Sequence, residues 1–189
     1  MLQAEFDIVS SGPISLAFID KNINTFSQAS LFIKQLPYGR NVDKNNSSTI
    51  FTDYCGTCST KHALLKQLAD ENNFKKIKLF IGLFAMNKIN TPAISVTLSK
   101  NNLNYIPEAH CYLKFDDQII DCTKTNSHPN DFINDLIEEL EIAPDQITDF
   151  KVNYHKRYLL NWLKENKQLN LTLEQLWNIR EQCIEDLFQ

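Results

Sequence analysis

Two alternating segments on either side of Asp116-Asp117 constrain the fold more than any other part of the chain. Residues 108–115 and 118–123 are predicted to be the strands of a β-hairpin, because they alternate in polarity and the two aspartates suit a tight turn. In this register Phe115 faces Gln118, and Tyr112 faces Asp121. Side chains alternate between the faces of a strand. One face therefore carries His110, Tyr112, Asp121 and Thr123, and the other carries Ala109, Cys111, Leu113, Phe115, Ile120 and Cys122.

The polar face of this hairpin makes His110 and Asp121 diagonal neighbours. Such a pair is about 7–8 Å apart at the backbone and closer at the side-chain tips. An imidazole can then hydrogen-bond a carboxylate. Cys111 and Cys122 lie on the apolar face and are predicted to be core residues.

A cysteine at the start of a helical run is the second constraint. The loop Tyr54-Cys55-Gly56-Thr57 leads to Cys58, and residues 61–71 contain no glycine or proline and many strong helix formers. The apolar face would contain Ala63, Leu64, Leu68 and Ala69, with Lys61, Lys66 and Asp70 at polar positions. Cys58 is thus expected in or just before the first helical turn, where the helix dipole favours the thiolate, the nucleophilic form.

A cysteine at a helix start, a histidine and a diagonal aspartate form the arrangement used in thiol acyl transfer. Cys58 would attack a carbonyl carbon, and His110 would take the thiol proton and later protonate the leaving group. Asp121 would fix the imidazole tautomer. The backbone N–H of Cys58 is the expected oxyanion donor.

The remaining segments predict a mixed α/β chain. Helices are expected at residues 27–36, 131–140, 149–166 and 173–188, and a strand at 76–86. Thr172 and Gln175 have capping-box spacing at the last helix. These patterns suggest a core of residues 1–128 and a helical extension of residues 129–189. His128 and His155 are expected at the surface.

The amino-acid composition and net charge argue against several classes of function. The chain has 189 residues, a net charge of −4 and only four glycines, so neither nucleic-acid nor membrane binding nor a glycine-rich nucleotide site is expected. Five cysteines without an export signal are expected to be reduced thiols in the cytoplasm.

The residues of the cysteine helix and hairpin resemble the transglutaminase-like superfamily of papain-related thiol enzymes. The resemblance rests on Gly56-Thr57-Cys58 and the helix after it, the strand near residues 78–84, Glu108-Ala109-His110-Cys111-Tyr112-Leu113 and Ile119-Ile120-Asp121-Cys122-Thr123. It implies an α+β fold, with an antiparallel sheet packed on a central cysteine-bearing helix and a helical C-terminal region. It also implies catalysis by Cys58, His110 and Asp121, without metal or cofactor.

The substrate implied by this resemblance is a peptide, a protein or a small amide. Candidate substrate-binding or supporting residues are Arg40, Tyr54, Cys55, Thr57, His62 and Tyr112. His62, one turn after Cys58, is interpreted as a supporting residue and not as the base. Many family members have a tryptophan soon after the histidine, where this chain has Cys111-Tyr112, and a proline or a similar small-residue turn after the aspartate, where this chain has Cys122-Thr123. The substrate class, and hydrolysis as against cross-linking, therefore stay open.

Three other functions remain open from the sequence. The chain can be an inactive copy of the fold that serves as a binding module. Cys55 and Cys58 form one Cys-x-x-Cys pair, which suits a zinc ligand set or a redox site, although a structural zinc site usually needs two such pairs. Cys55 can also be a resolving thiol that protects Cys58.

Overall fold

The computed structural model describes residues 4–188 and has an α+β fold. The α-helices are α1 (Pro13–Ile19), α2 (Phe26–Gln35), α3 (Ile50–Asp53), α4 (Cys58–Glu71), α5 (Ser95–Lys100), α6 (Asp149–Glu165) and α7 (Leu173–Asp186). The strands are β1 (Ile77–Asn87), β2 (Tyr105–Phe115), β3 (Gln118–Ile120) and β4 (Leu136–Ile142). Short 3₁₀ turns occupy Ser47–Thr49, Pro92–Ile94, Pro129–Asp131, Ile133–Asp135, Pro144–Gln146 and Lys167–Leu169.

The four strands form one antiparallel sheet in the order β3-β2-β1-β4. The predicted hairpin register is confirmed, since Phe115 pairs with Gln118 and Leu113 pairs with Ile120. Asp116, the first turn residue, has a φ of 51°, a left-handed conformation that aspartate tolerates better than most residues. The turn residues and the alternation of polar and apolar residues therefore predict this strand pairing correctly.

The second strand of the hairpin is shorter than predicted. β3 ends at Ile120, before Asp121, so the predicted continuation of the ladder to Thr123 is wrong. The backbone N–H of Cys122 instead donates to His62 Nε2 at 2.8 Å, and that of Thr123 donates to Asp121 Oδ1 at 2.9 Å. These two backbone N–H groups therefore donate to the side chains of His62 and Asp121 instead of to a neighbouring strand.

The helix predicted at residues 131–140 is also wrong. This segment contains two 3₁₀ turns and then β4, which lies beside β1 at one edge of the sheet. Most of β4 is exposed, and Glu141 pairs with Lys78 of β1 at 2.8 Å. Charged residues on an edge strand discourage pairing with further strands. A place at the edge of the sheet therefore overrides the helical preference of these leucines and glutamates.

The described chain divides into two compact units that alternate along the sequence. The first contains residues 4–81, 111–129 and 140–148, and the second contains residues 82–110, 130–139 and 149–188. The predicted boundary after residue 128 lies one residue before one of these divisions. The chain crosses between the units several times, so neither unit is one continuous segment.

In the first unit, α4 packs against α1 and α2. Its core includes Phe18, Phe26, Ile33, Leu64 and Leu68, each of which is almost completely buried. The carboxylate of Glu71 accepts hydrogen bonds from the N–H groups of Ile14 and Ser15 at 3.1 and 2.7 Å, and so anchors the start of α1. These contacts fix α4 against α1 and α2.

In the second unit, α7 packs against α5 and α6. Its core includes Leu83, Ile106, Leu159, Leu176 and Cys183. The predicted helix at 149–166 and the Thr172–Gln175 capping box are confirmed. Among the described residues, no helix has the length and hydrophobicity needed to cross a membrane.

Candidate active site

Cys58 is the first residue of α4, as the sequence predicts. Thr57 is the N-cap, its side chain accepts a hydrogen bond from the N–H of Thr60, and the Thr60 hydroxyl accepts one from the N–H of Thr57 at 3.0 Å. This capping box fixes the chain where it enters the helix. Cys58 is 7% exposed, and the amide groups and dipole of the first turn favour negative charge at its position.

The loop that precedes Cys58 is held by Asn41, a residue that the sequence analysis did not select. Its amide nitrogen donates to the carbonyl of Cys55 at 2.9 Å and to Asp53 Oδ2 at 3.0 Å. Its amide oxygen accepts from the Thr60 hydroxyl at 2.7 Å. One asparagine thus connects the loop on both sides of Cys58. An isolated asparagine in a polar segment gave no sequence signal for this role.

Tyr54 and Arg40 lie at the exposed side of the same loop. Tyr54 ends α3 with a φ of 52° and has 59% of its surface exposed. A left-handed conformation is uncommon for a tyrosine, and residues in such strained conformations cluster at functional sites. Arg40 is exposed, and its carbonyl lies 3.9 Å from the Cys55 sulfur. Both side chains remain candidates for substrate contacts.

His62 connects the first turn of α4 to the segment after β3. The N–H of Cys122 donates to its Nε2, so this nitrogen must be unprotonated. The proton is therefore on Nδ1, which lies 2.7 Å from the carbonyl oxygen of Cys58 and donates to it. His62 is completely buried. A neutral ring engaged at both nitrogens suits a supporting residue better than a general base.

Asp121 lies in the segment that His62 holds. The carboxylate is nearly buried, with 7% of the residue exposed, and its Oδ1 accepts from the N–H of Thr123. The same oxygen is 3.7 Å from His62 Nε2. Asp121 and the start of α4 thus belong to one connected group within the first unit.

The prediction that Lys61 lies on the polar face of the helix is wrong. The residue is completely buried. Its Nζ donates to the carbonyls of Leu36 at 2.6 Å and Thr123 at 2.8 Å. Burial lowers the pKa of this ammonium to about 8. Lys61 and His62 together fasten residues 121–123 to α4.

His110 lies in β2 and belongs to the second unit. Its ring packs edge-to-face against Phe132, with 4.9 Å between ring centroids, and more distantly against Phe84, at 6.2 Å. Two residues earlier in the strand, Glu108 forms two hydrogen bonds to Arg180 of α7. The triad stays a prediction, because Cys58 and Asp121 belong to the first unit and His110 to the second.

The other cysteines differ from Cys58 in their surroundings. Cys111 and Cys122 are buried, in agreement with the core interpretation, and no disulfide links them. Burial, together with the charge of Asp121, raises the pKa of the Cys122 thiol to about 12. Burial, followed by the charge of Asp53, also raises the pKa of Cys55. Both thiols therefore stay protonated at neutral pH.

Ser59 contacts two of the cysteines, and Tyr112 packs on an aromatic ring of β1. The hydroxyl of Ser59 lies 4.0 Å from Cys58 Sγ and 3.5 Å from Cys111 Sγ. Tyr112 is fully buried and stacks on Phe80, with ring centroids 6.1 Å apart. Tyr112 is therefore a core residue of the first unit, which argues against direct contact with a substrate.

Metal binding finds no support in the side-chain geometry of residues 4–188. No group of three or more histidine, cysteine, aspartate or glutamate side chains in this range could hold a metal ion. Neither Cys55 nor Cys58 forms a disulfide bond. Comparisons with models of protein families, with curated proteins and with solved structures give no match.

Proposed function

We propose that the protein is a thiol-dependent acyl-transfer enzyme in which Cys58 is the nucleophile, His110 the general base and Asp121 the residue that orients it. The observation that carries the proposal is the position of Cys58 at the start of a helix with an N-terminal capping box, beside a segment containing Asp121 that Lys61 and His62 bind to the same helix. A helix start favours a thiolate, and a buried aspartate suits the orientation of a histidine.

In the proposed reaction, the Cys58 sulfur attacks the carbonyl carbon of an amide or ester while its proton passes to His110. The tetrahedral intermediate then collapses, the bond to the leaving group breaks, and His110 returns the proton to that group. A water molecule, or an amine in a cross-linking reaction, attacks the thioester and releases Cys58. The N–H of Cys58 is the proposed oxyanion donor.

Support for a transglutaminase-like arrangement comes from the order of the elements. A cysteine-bearing helix precedes the sheet, and an antiparallel hairpin carries His110 in one strand and Asp121 directly after the other. Cys111-Tyr112 departs from the tryptophan that many members of that superfamily have soon after the histidine. We propose hydrolysis of an amide or peptide bond, in preference to cross-linking, as the reaction of this protein.

The proposal is tested with p-nitrophenyl acetate as a general acyl donor. We expect a burst of p-nitrophenol and an acetyl group on Cys58, located by mass spectrometry of peptides. Cys58→Ser should abolish both, whereas Cys55→Ser, three residues away in the same loop, should retain them. His110→Ala should slow acylation by about 10²-fold or more. Equal acetylation of all cysteines, or an unchanged rate in His110→Ala, would indicate a binding module instead.

A further inference from the structure

Lys61 is a buried charge whose direct hydrogen-bond acceptors are both uncharged. Its Nζ donates to the backbone carbonyls of Leu36 and Thr123, which belong to different parts of the first unit. Removal of an ammonium group from water costs several kcal/mol unless other groups compensate. A methionine could fill the same space without this cost. The presence of a lysine therefore needs an explanation beyond packing.

Several acidic groups of the candidate site interact electrostatically with this ammonium. Lys61 follows Cys58 by three residues on α4, a spacing that places both on one face of the helix. Burial is the main influence on the pKa of Lys61 and lowers it, while the negative charges that Cys122, Asp121, Cys55 and Cys58 can carry, in decreasing order, raise it. The pKa of the Cys122 thiol is about 12 and that of Cys55 is raised, so both stay protonated at neutral pH. Asp121 and Cys58 are the remaining acidic groups in this set.

We propose that Lys61 is a positioning residue that favours the anionic form of the Cys58 thiol and fixes the backbone of Thr123 beside Asp121. This inference rests on the proposed function and adds to it a buried source of positive charge. A helix start alone lowers the energy of a thiolate, and the ammonium adds a full charge in a region shielded from water. Lys61 need not touch a substrate to have this effect.

The first test compares Lys61→Met with the wild type in site-resolved alkylation of Cys58 by iodoacetamide across pH. Removal of the charge should raise the pH midpoint of labelling by about one unit or more, which corresponds to about 10-fold slower labelling below the midpoint. Lys66→Met is the matched control, because it removes a lysine from the same helix whose partner is Asp70 at 2.6 Å. The control should leave the midpoint unchanged.

If Lys61→Met does not fold, a second measurement tests the charge coupling between Lys61 and Cys58. Coupling between two charges is reciprocal, so loss of the Cys58 thiolate must also change the titration of Lys61. The lysine Cε resonance of Lys61 is followed by NMR across pH in the wild type and in Cys58→Ser. We expect its midpoint to fall in the variant. Equal midpoints in the two proteins would overturn the inference.

The outcomes separate this inference from the proposed function. If His110→Ala changes the labelling of Cys58 and Lys61→Met does not, the role of Lys61 is refuted and the thiol enzyme stands. If wild-type Cys58 labels like an ordinary thiol and neither variant changes it, both proposals are refuted. A purely structural Lys61 would lower the thermal stability in Lys61→Met without changing the pH midpoint.

Discussion

Replacement of Arg180 by methionine should lower the free energy of unfolding by an amount that depends strongly on pH. The guanidinium donates to Glu108 through Nε at 2.7 Å and through Nη2 at 2.5 Å. The side chains of Arg180 and Glu108 are only 13% and 7% exposed. Burial is the largest single effect and opposes ionisation of Glu108. The charge and hydrogen bonds of Arg180, together with the charges of His155 and Lys151, nevertheless hold the pKa of Glu108 below its usual value. The variant therefore leaves a buried carboxylate without its main partner.

The size of the stability loss depends on whether Glu108 stays charged or becomes protonated in the variant. An unpaired buried charge typically costs about 3–5 kcal/mol. Protonation limits the cost, because neutralising a carboxyl of usual pKa about 4.3 takes about 1.4 kcal/mol per pH unit. We therefore expect Arg180→Met to lose about 3–4 kcal/mol at pH 7, and only about 1 kcal/mol from this source at pH 5. Lys151, which also faces Glu108, keeps the loss near the lower values.

The assay is urea denaturation at pH 7 and pH 5, with the free energy of unfolding obtained by linear extrapolation. Glu108→Gln combined with Arg180→Met removes both charges and should recover most of the loss at pH 7. Arg157→Met, an exposed arginine on α6, is the matched control and should change stability by less than about 1 kcal/mol. A loss that is small at pH 7, or equal at both pH values, would refute the reasoning.

Three further predictions concern other sites. Thr57→Ala should lower the free energy of unfolding by about 1 kcal/mol because it removes the N-cap of α4, and Thr57→Ser should not; urea denaturation checks both. Burial lowers the pKa of His155 in the folded protein, so on acidification the unfolded state binds a proton at a higher pH than the folded state does. The free energy of unfolding should therefore fall as the pH drops below about 6.5. Thermal melting of His155→Gln should show a weaker pH dependence than that of the wild type. Cys122 should resist iodoacetamide at pH 8 in the folded protein and react only after denaturation, as peptide mapping would show.

The helix start and the hairpin were predictable because their signals are local. Thr57, Cys58 and the helix formers after them lie within one short segment, and so do the two strands around Asp116. Each element follows from neighbouring residues through capping, propensity and alternation. Long-range contacts were not needed to predict either element.

The errors arise where residues distant in sequence meet. Lys61 has a polar side chain at a helical position, but its acceptors are 25 and 62 residues away, so no local pattern predicts its burial. His155 is buried, although the sequence predicts it at the surface, and its Nε2 donates a hydrogen bond to the carbonyl oxygen of Pro107, 48 residues away, at 2.8 Å. The early end of β3 likewise depends on His62, which takes the N–H of Cys122.

The central claim is that Cys58 is a nucleophile activated by His110. The most direct measurement is the rate of Cys58 alkylation by iodoacetamide against pH in the wild type, His110→Ala and His62→Gln. The account predicts rapid labelling of the wild type well below pH 8, a shift to higher pH in His110→Ala, and a smaller change in His62→Gln. Labelling with a midpoint near 8.5, the value of an ordinary thiol, and no effect of His110→Ala would contradict it.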